Sequence, residues 1–547
     1  MKFHRWAGMV LLWGAGGMAA LSSPIPTLDQ TGVNLLRATT TNLYGNGITV
    51  GQPEGDVSLS PLAFEVFPPN VGNPTPTFTY RSADGAGTNY PNSAGVDSWH
   101  ADDVARFFYG PGYGVATNIA HVDNLDADFF YTNYIANPLL PALGDPIVNQ
   151  SFIFGNVVTN LPTPTNYLAV SDQEELDSEY DDYANANHVL FVSAVNNVGS
   201  VSPPGTAYNS IGVAAYGAGA TSSVGPTVDN GRCKPDITAP GASDTTKVPA
   251  TSFSTPQVSG AAAVLLQAAE RGDGGADTNA AADLRTLKAL LLNGAVKPVG
   301  WTNGPNTPLD ARYGAGLLNL FNAYHQLAGQ RQTNCVAATV LLGGAHPPAG
   351  DTNTISTLSA WDFNTNTSTT LADGVNHYYF NVTNGSASTR FYTTATLVWN
   401  RQLSQTNINN LRLFLYATAN SNLVACSTSR VDNVQHVCVP QLAPGRYDLQ
   451  VWKAGGTNLV SLDETYAVAF AFAPLPAMTI VPAGTNVLLS WPVYPAGFAA
   501  QAVSALGTSP AWSTNNLPAS TVTNGQNWLH LNATNAPQFF RLVSPNF

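Results

Sequence analysis

The sequence predicts an α/β domain, a mostly parallel sheet flanked by helices, followed by all-β sandwich domains. Between residues 45 and 330 short apolar runs alternate with segments of helical period, the pattern of parallel strands joined by covering helices. Within that region Ala250-Thr251-Ser252-Phe253-Ser254-Thr255-Pro256 runs into the Ala-rich segment Gln257 to Leu266, which reads as a buried helix. From residue 331 the apolar period falls to two, with turn residues between the runs.

A chain of 547 residues is too long for one core. Its divisions read as a leader over 1–22, an α/β domain over 23–330, a β-sandwich over 331–475 and a small β module over 476–547. The leader carries Lys2, His4 and Arg5, then the apolar run Trp6 to Leu21 with Met18-Ala19-Ala20 as a small-residue cleavage site, an export signal too short to span a membrane. The mature chain is therefore expected to be secreted or extracytoplasmic. Only 10% of residues are charged and the net charge is −13, which argues against nucleic acid and anionic membrane as partners.

The strands of the first domain are expected at Gly47 to Pro53, Val115 to Val122, Ile147 to Phe154, Val189 to Val195 and Ser210 to Ala215. Helices are expected over His100 to Tyr109, with Val104, Phe107 and Phe108 on one face; over Ala281 to Ala295, with Leu284, Leu287, Leu290 and Leu291; and over Gly316 to Leu327. Asp172 to Asn187 holds seven acids and reads as a solvated helix face rather than a calcium site, because hard cations need oxygens converging from several segments.

A Thr-Ser pair before an apolar helix, with Pro256 expected in the first turn where a missing N–H costs nothing, places Ser252 at a helix N-terminus. That end of a helix favours negative charge. A lone serine there is usually a cap. As a nucleophile it needs a base to take its proton and a carboxylate to orient the base. His100 opens a helix, and Glu54 stands at the carboxyl end of an apolar strand, where ligands gather in open α/β sheets. Asn196 ends another strand and carries an amide that can donate to an oxyanion.

In chain order Glu54, His100, Asn196 and Ser252 resemble the catalytic acid, base, oxyanion donor and nucleophile of the subtilases, the subtilisin family of serine endopeptidases. Gly114-Val115-Ala116, Pro204 to Ala215, Lys234 to Gly241 and Gly314 to Asn319 resemble the family in the same order, and the likeness covers roughly residues 40 to 330. It implies an acyl-enzyme mechanism on protein or peptide substrates, with no cofactor required and room for structural calcium. Glu54 stands where the family has Asp; Asp56 is the reserve acid, and Asp102 or Asp103 a distant third. Glutamate also marks the related sedolisins, but there it replaces the histidine that His100 supplies here. Val195, Ala250 and Ser151-Phe152-Ile153-Phe154-Gly155 depart from the family in segments expected to wall the specificity pocket, which they would narrow or reshape. About 20 residues separate the leader from the first strand, too few for the family's folding propeptide. The alternative reading is a catalytically silent scaffold that binds or displays through its β domains.

In the sandwich region the alternating runs include Tyr378 to Val382, Leu411 to Tyr416 and Tyr447 to Trp452. Contact with a cell surface or glycans is the role left to these modules. Cys426 and Cys438 flank an expected hairpin and could pair; Cys233 and Cys335 are left open, and no spacing suggests zinc.

Overall fold

The computed structural model describes residues 28–158, 165–167, 170–217, 219–241, 250–350, 352–508, 510–514, 517–532 and 538–544, with backbone alone at 156–158 and 165–167. The export leader expected over residues 1–22 lies outside the described residues.

The first domain is built on one eight-stranded sheet. Its strands are β1 (Thr49–Glu54), β2 (Thr77–Arg81), β3 (Ala86–Gly87), β4 (His121–Asp126), β5 (Ile147–Gln150), β6 (Leu190–Ala194), β7 (Ile211–Tyr216) and β8 (Ile237–Pro240). They lie in the order β8-β7-β6-β5-β1-β4-β2-β3, parallel except for the short β3 edge. β1 therefore sits in the middle, paired with β4 through Glu54 and Asp126 and with β5 through Val50 and Ile147. Strands buried on both faces read as near-continuous apolar runs, which is why five of these strands could be read from sequence; Thr77–Arg81, Ala86–Gly87 and Ile237–Pro240 were not expected.

Two strand ends differ from expectation. The run expected from Val115 enters the sheet only at His121. Its first half is a turn, tight enough that a Cβ on Gly114 would lie 2.5 Å from the Gly110 nitrogen. The run expected from Ile147 to Phe154 leaves the sheet after Gln150, and Ser151 onward passes beside Ser252.

Helix α1 spans Val33–Thr39, α2 Trp99–Phe108, α3 Val170–Asn187, α4 Thr251–Glu270, α5 Leu284–Gly294 and α6 Leu320–Ala328. α4 is buried on all sides but for Gln267 and Glu270, as the small and apolar run Gly260 to Leu266 requires. A Cβ on Gly260 would meet Val115 Cβ at 2.6 Å, so glycine lets the helix lie on the turn after α2. α5 begins later than expected because Asp283 is extended (ψ 138°) and its carboxylate caps the helix by accepting from Arg285 N–H. α6 likewise waits for Asn319, whose side chain caps it.

The acidic α3 corrects the reading of a solvated face. Asp177 and Asp181 are buried, and they pair with Arg232 and Arg401 at 2.7 and 2.8 Å. No group of three or more His, Cys, Asp or Glu that could hold a metal is present among the described residues.

Beyond α6 the chain forms several antiparallel sheets. A five-stranded sheet (336–341, 372–382, 445–453, 411–417, 422–427) faces a four-stranded one (359–367, 463–474, 391–399, 434–442) across Tyr378, Phe380, Leu397, Trp399, Leu413, Leu449 and Phe470. Cys426 and Cys438 lie in different sheets and all four cysteines are free, because the two strands expected to form a hairpin separate into opposite layers. Residues 479–543 form two smaller sheets over Leu489, Trp491, Ala500 and Leu529. No described helix is long and apolar enough to cross a membrane.

Candidate active site

The carboxyl end of the sheet gathers the predicted residues. Glu54 is the last residue of β1, His100 the second of α2, and Ser252 the second of α4; Asn196 follows β6. Ser98 caps α2 by accepting from Ala101 N–H, which fixes the turn on which the imidazole is carried.

His100 Nδ1 lies 2.9 Å from Glu54 Oε2, both side chains fully buried. This arrangement fixes Nδ1 as the protonated nitrogen and leaves Nε2 as the acceptor. Nε2 is buried and has no partner among the described residues. The imidazole also contacts the ring of Phe253, the residue after Ser252, with centroids 5.8 Å apart. No hydrogen bond joins Ser252 to His100. Instead the Ser252 hydroxyl donates to the Ser151 carbonyl at 3.3 Å, and the Ser151 hydroxyl donates to the Ser252 carbonyl at 2.9 Å.

That second bond has a cause in the sequence. Pro256 lies beyond the first turn of α4, not within it, so its missing N–H deprives the Ser252 carbonyl of its helical donor. Ser151 supplies the replacement, and is itself held by Asn149 Nδ2 at 3.1 Å. The usual capping role does not apply to Ser252, since the residue before the helix is Ala250, which makes no side-chain cap.

Asn196 keeps its carboxamide in local hydrogen bonds. It has φ 96°, its amide donates to Ser202 Oγ at 3.2 Å, and its oxygen accepts from Asn197 N–H at 2.7 Å. The next residue does reach the start of α4: Asn197 Oδ1 accepts from both the N–H and the hydroxyl of Thr251, each at 2.9 Å.

The reserve acids are engaged elsewhere. Asp56 shares a carboxyl–carboxyl hydrogen bond with Asp126, and burial together with that neighbour pushes its pKa up to about 8. Asp102 accepts from Phe67 N–H and Asn70 Nδ2, its pKa pushed up to about 6 by burial, and Asp103 pairs with Arg106. Val195 is fully buried beside Val201 and Ala214, so it offers no surface to a substrate; Phe154 packs on Phe152, Tyr131 and Tyr180. Two histidines outside the site also have carboxylate partners: His377 lies 2.8 Å from Asp448 and His346 3.3 Å from Asp373, both in the sandwich.

Sequence reasoning missed Gln52, Tyr109, Ser151 and Asn197. Gln52 had a signal: it lies two residues before Glu54 in an apolar strand, hence on the same face.

Residues 144–316 match the sequence model of the subtilase family. No curated protein matches the chain. Similar solved structures include the patellamide maturation protease PatA, 21% identical over 52% of this chain and 98% of that one, TM-score 0.34. A serine protease of Aeromonas sobria is 14% identical over 94% and 91%, TM-score 0.34. Pseudomonas sedolisin, a serine-carboxyl proteinase, is 14% identical over 54% and 96%, TM-score 0.36.

Proposed function

We propose that this chain is an exported serine endopeptidase that cleaves peptide bonds through an acyl-enzyme. The observation that carries the reading is the buried Glu54–His100 pair, whose second ring nitrogen is unpartnered among the described residues while the ring packs on Phe253, the residue after Ser252.

In this mechanism a bound peptide draws the Ser252 hydroxyl away from the Ser151 carbonyl and onto His100 Nε2. Catalytic hydrogen bonds often tighten only when substrate is present. Ser252 Oγ attacks the scissile carbonyl while Nε2 takes its proton, and Glu54 stabilises the imidazolium. The same proton passes to the leaving amine, and a water deacylates the enzyme by the reverse path. The oxyanion is met by the Ser252 N–H at the helix start and by an asparagine amide. We assign that amide to Asn197 in place of Asn196, because the Asn197 carboxamide is anchored through its oxygen on Thr251 and the Asn196 amide is turned onto Ser202.

Fluorophosphonate labelling tests the reading. Wild type should be labelled at Ser252 and should cleave peptides, and Ser252→Ala should do neither. The silent-scaffold alternative is favoured by the bond from Ser252 to Ser151 in place of His100; it requires wild type to stay unlabelled.

A further inference from the structure

The family resemblance explains the acid, the base and the nucleophile but says nothing of what surrounds the unusual glutamate. Glu54 is fully buried, and among the described residues two side-chain donors reach its carboxylate. One is the His100 ring on Oε2. The other is Gln52 Nε2, which donates to Oε1 at 3.0 Å and also to the Ala101 carbonyl at 3.2 Å.

A carboxamide has a donor end and an acceptor end, and turning it over would aim its oxygen at a buried carboxylate. The orientation here is fixed from behind: Tyr109 donates its hydroxyl proton to Gln52 Oε1 at 2.8 Å. The phenol keeps the proton it donates, because burial first, and then Tyr80, Glu54 and Asp102, raise its pKa well above its ordinary value. Tyr109 is the C-cap of α2, the helix that carries His100 in its first turn, and Gln52 and Glu54 share one face of β1. The relay Tyr109–Gln52–Glu54–His100 therefore closes a loop between one strand and the two ends of one helix.

We propose that Gln52 and Tyr109 are positioning residues for the Glu54–His100 pair: the Tyr109 hydroxyl locks the Gln52 carboxamide so that its N–H points at Glu54 and holds the longer acid in the plane that serves the imidazole. The inference rests on the serine-peptidase reading for its kinetic consequence and on geometry alone for its electrostatic one. Around the pair, β4 contributes Asp126, opposite Glu54 in register and hydrogen-bonded to Asp56; the side of Tyr109 contributes Tyr80 and Asp102. No cation is among these groups, so a lost donor has no charged substitute.

Removing the donor leaves the carboxylate more electron-rich, and the pair then holds its proton more tightly. The acidic limb of the pH profile of kcat/KM should move to higher pH in Tyr109→Phe and in Gln52→Met. A hydrogen bond to a charged group corresponds to roughly a ten- to hundredfold factor. A loss of that order in kcat with KM unchanged is expected for Gln52→Met, a smaller one for Tyr109→Phe, and the double variant should cost no more than Gln52→Met alone, since both act through one amide.

Rates are scaled to fluorophosphonate-titrated sites, so molecules that fail to fold are not counted. Profiles that superimpose on wild type after scaling, or additive losses in the double variant, overturn the proposal. A second readout does not need activity: with nitrogen-15-labelled histidine, the pH at which His100 takes up its proton should rise in both variants. An unlabelled wild type would end the peptidase reading. An unmoved His100 midpoint would end this one.

Discussion

Glu54 reaches one methylene further than the aspartate of the family pattern, and the His100 contact at 2.9 Å shows that the extra length is taken up within the site. Glu54→Gln keeps the shape and removes the charge that holds the imidazolium, so kcat should fall by about 10⁴, the order seen when a triad acid is made an amide. Asp56→Asn should stay within a few-fold, since that carboxyl is spent on Asp126; a variant rate series with the reverse order would reassign the acid. Asn197→Ala should lower kcat by roughly 10² to 10³, the cost of one oxyanion donor in subtilisin, and Asn196→Ala by much less. The positions of Glu54, His100 and Ser252 were legible because each sits at an element end that periodicity locates. What the Asn196 amide bonds to was not legible, because its direction depends on the positive φ of Asn196, which no pattern of residue types announces.

At the scale of elements, the start of α4 is held in part by Ser151, the residue that follows β5. Ser151 supplies the donor that Pro256 withholds from the Ser252 carbonyl. Ser151→Ala leaves a buried carbonyl unsatisfied and should destabilise the protein by about 1–3 kcal/mol, measured by denaturant unfolding. Adding Pro256→Ala returns an N–H to the helix at that position, so the double variant should recover much of the loss; if it recovers none, the carbonyl was not the cause. The five strands expected and the existence of the helices could be read from apolar runs, whereas helix starts and the order of the sheet could not. Asp283 and Asn319 begin α5 and α6 by capping; before Asp283 the chain makes a separate short helix, Thr278–Ala282, and before Asn319 Leu317 pairs with Thr238 and Val296. The mispaired cysteines have the same origin: alternation shows that two strands exist but not which layer each joins.

At the scale of the molecule, the α/β domain and the first β sheets share one core, since Trp361, Val398, Val434, Ala467 and Ala469 belong to the cluster that contains the α4 and α5 side chains. Arg401 reaches back to Asp181 on α3, and Arg331 to Asp362 at 3.0 Å. Arg401→Met leaves Asp181 buried without its cation, which should cost about 3–5 kcal/mol, and the two parts should still unfold in one transition. The pH dependence of that transition carries a separate signature beneath the sheet. Asp145 is buried against Asp123, and desolvation first, then the neighbouring charge, pushes its pKa from 3.8 up to about 8. A raised carboxyl binds its proton more tightly in the folded state than in the unfolded one. Its contribution is therefore fully present below about pH 4 and is lost as pH rises toward 8, at up to about 1.4 kcal/mol per pH unit. Asparagine at this position has no proton to lose and can donate an N–H to Asp123. Asp145→Asn should match or fall slightly below wild type at pH 4 to 5 and gain on it steadily to pH 8. Thermal unfolding of both proteins across that range checks the sign, and a gap that narrows with rising pH refutes it.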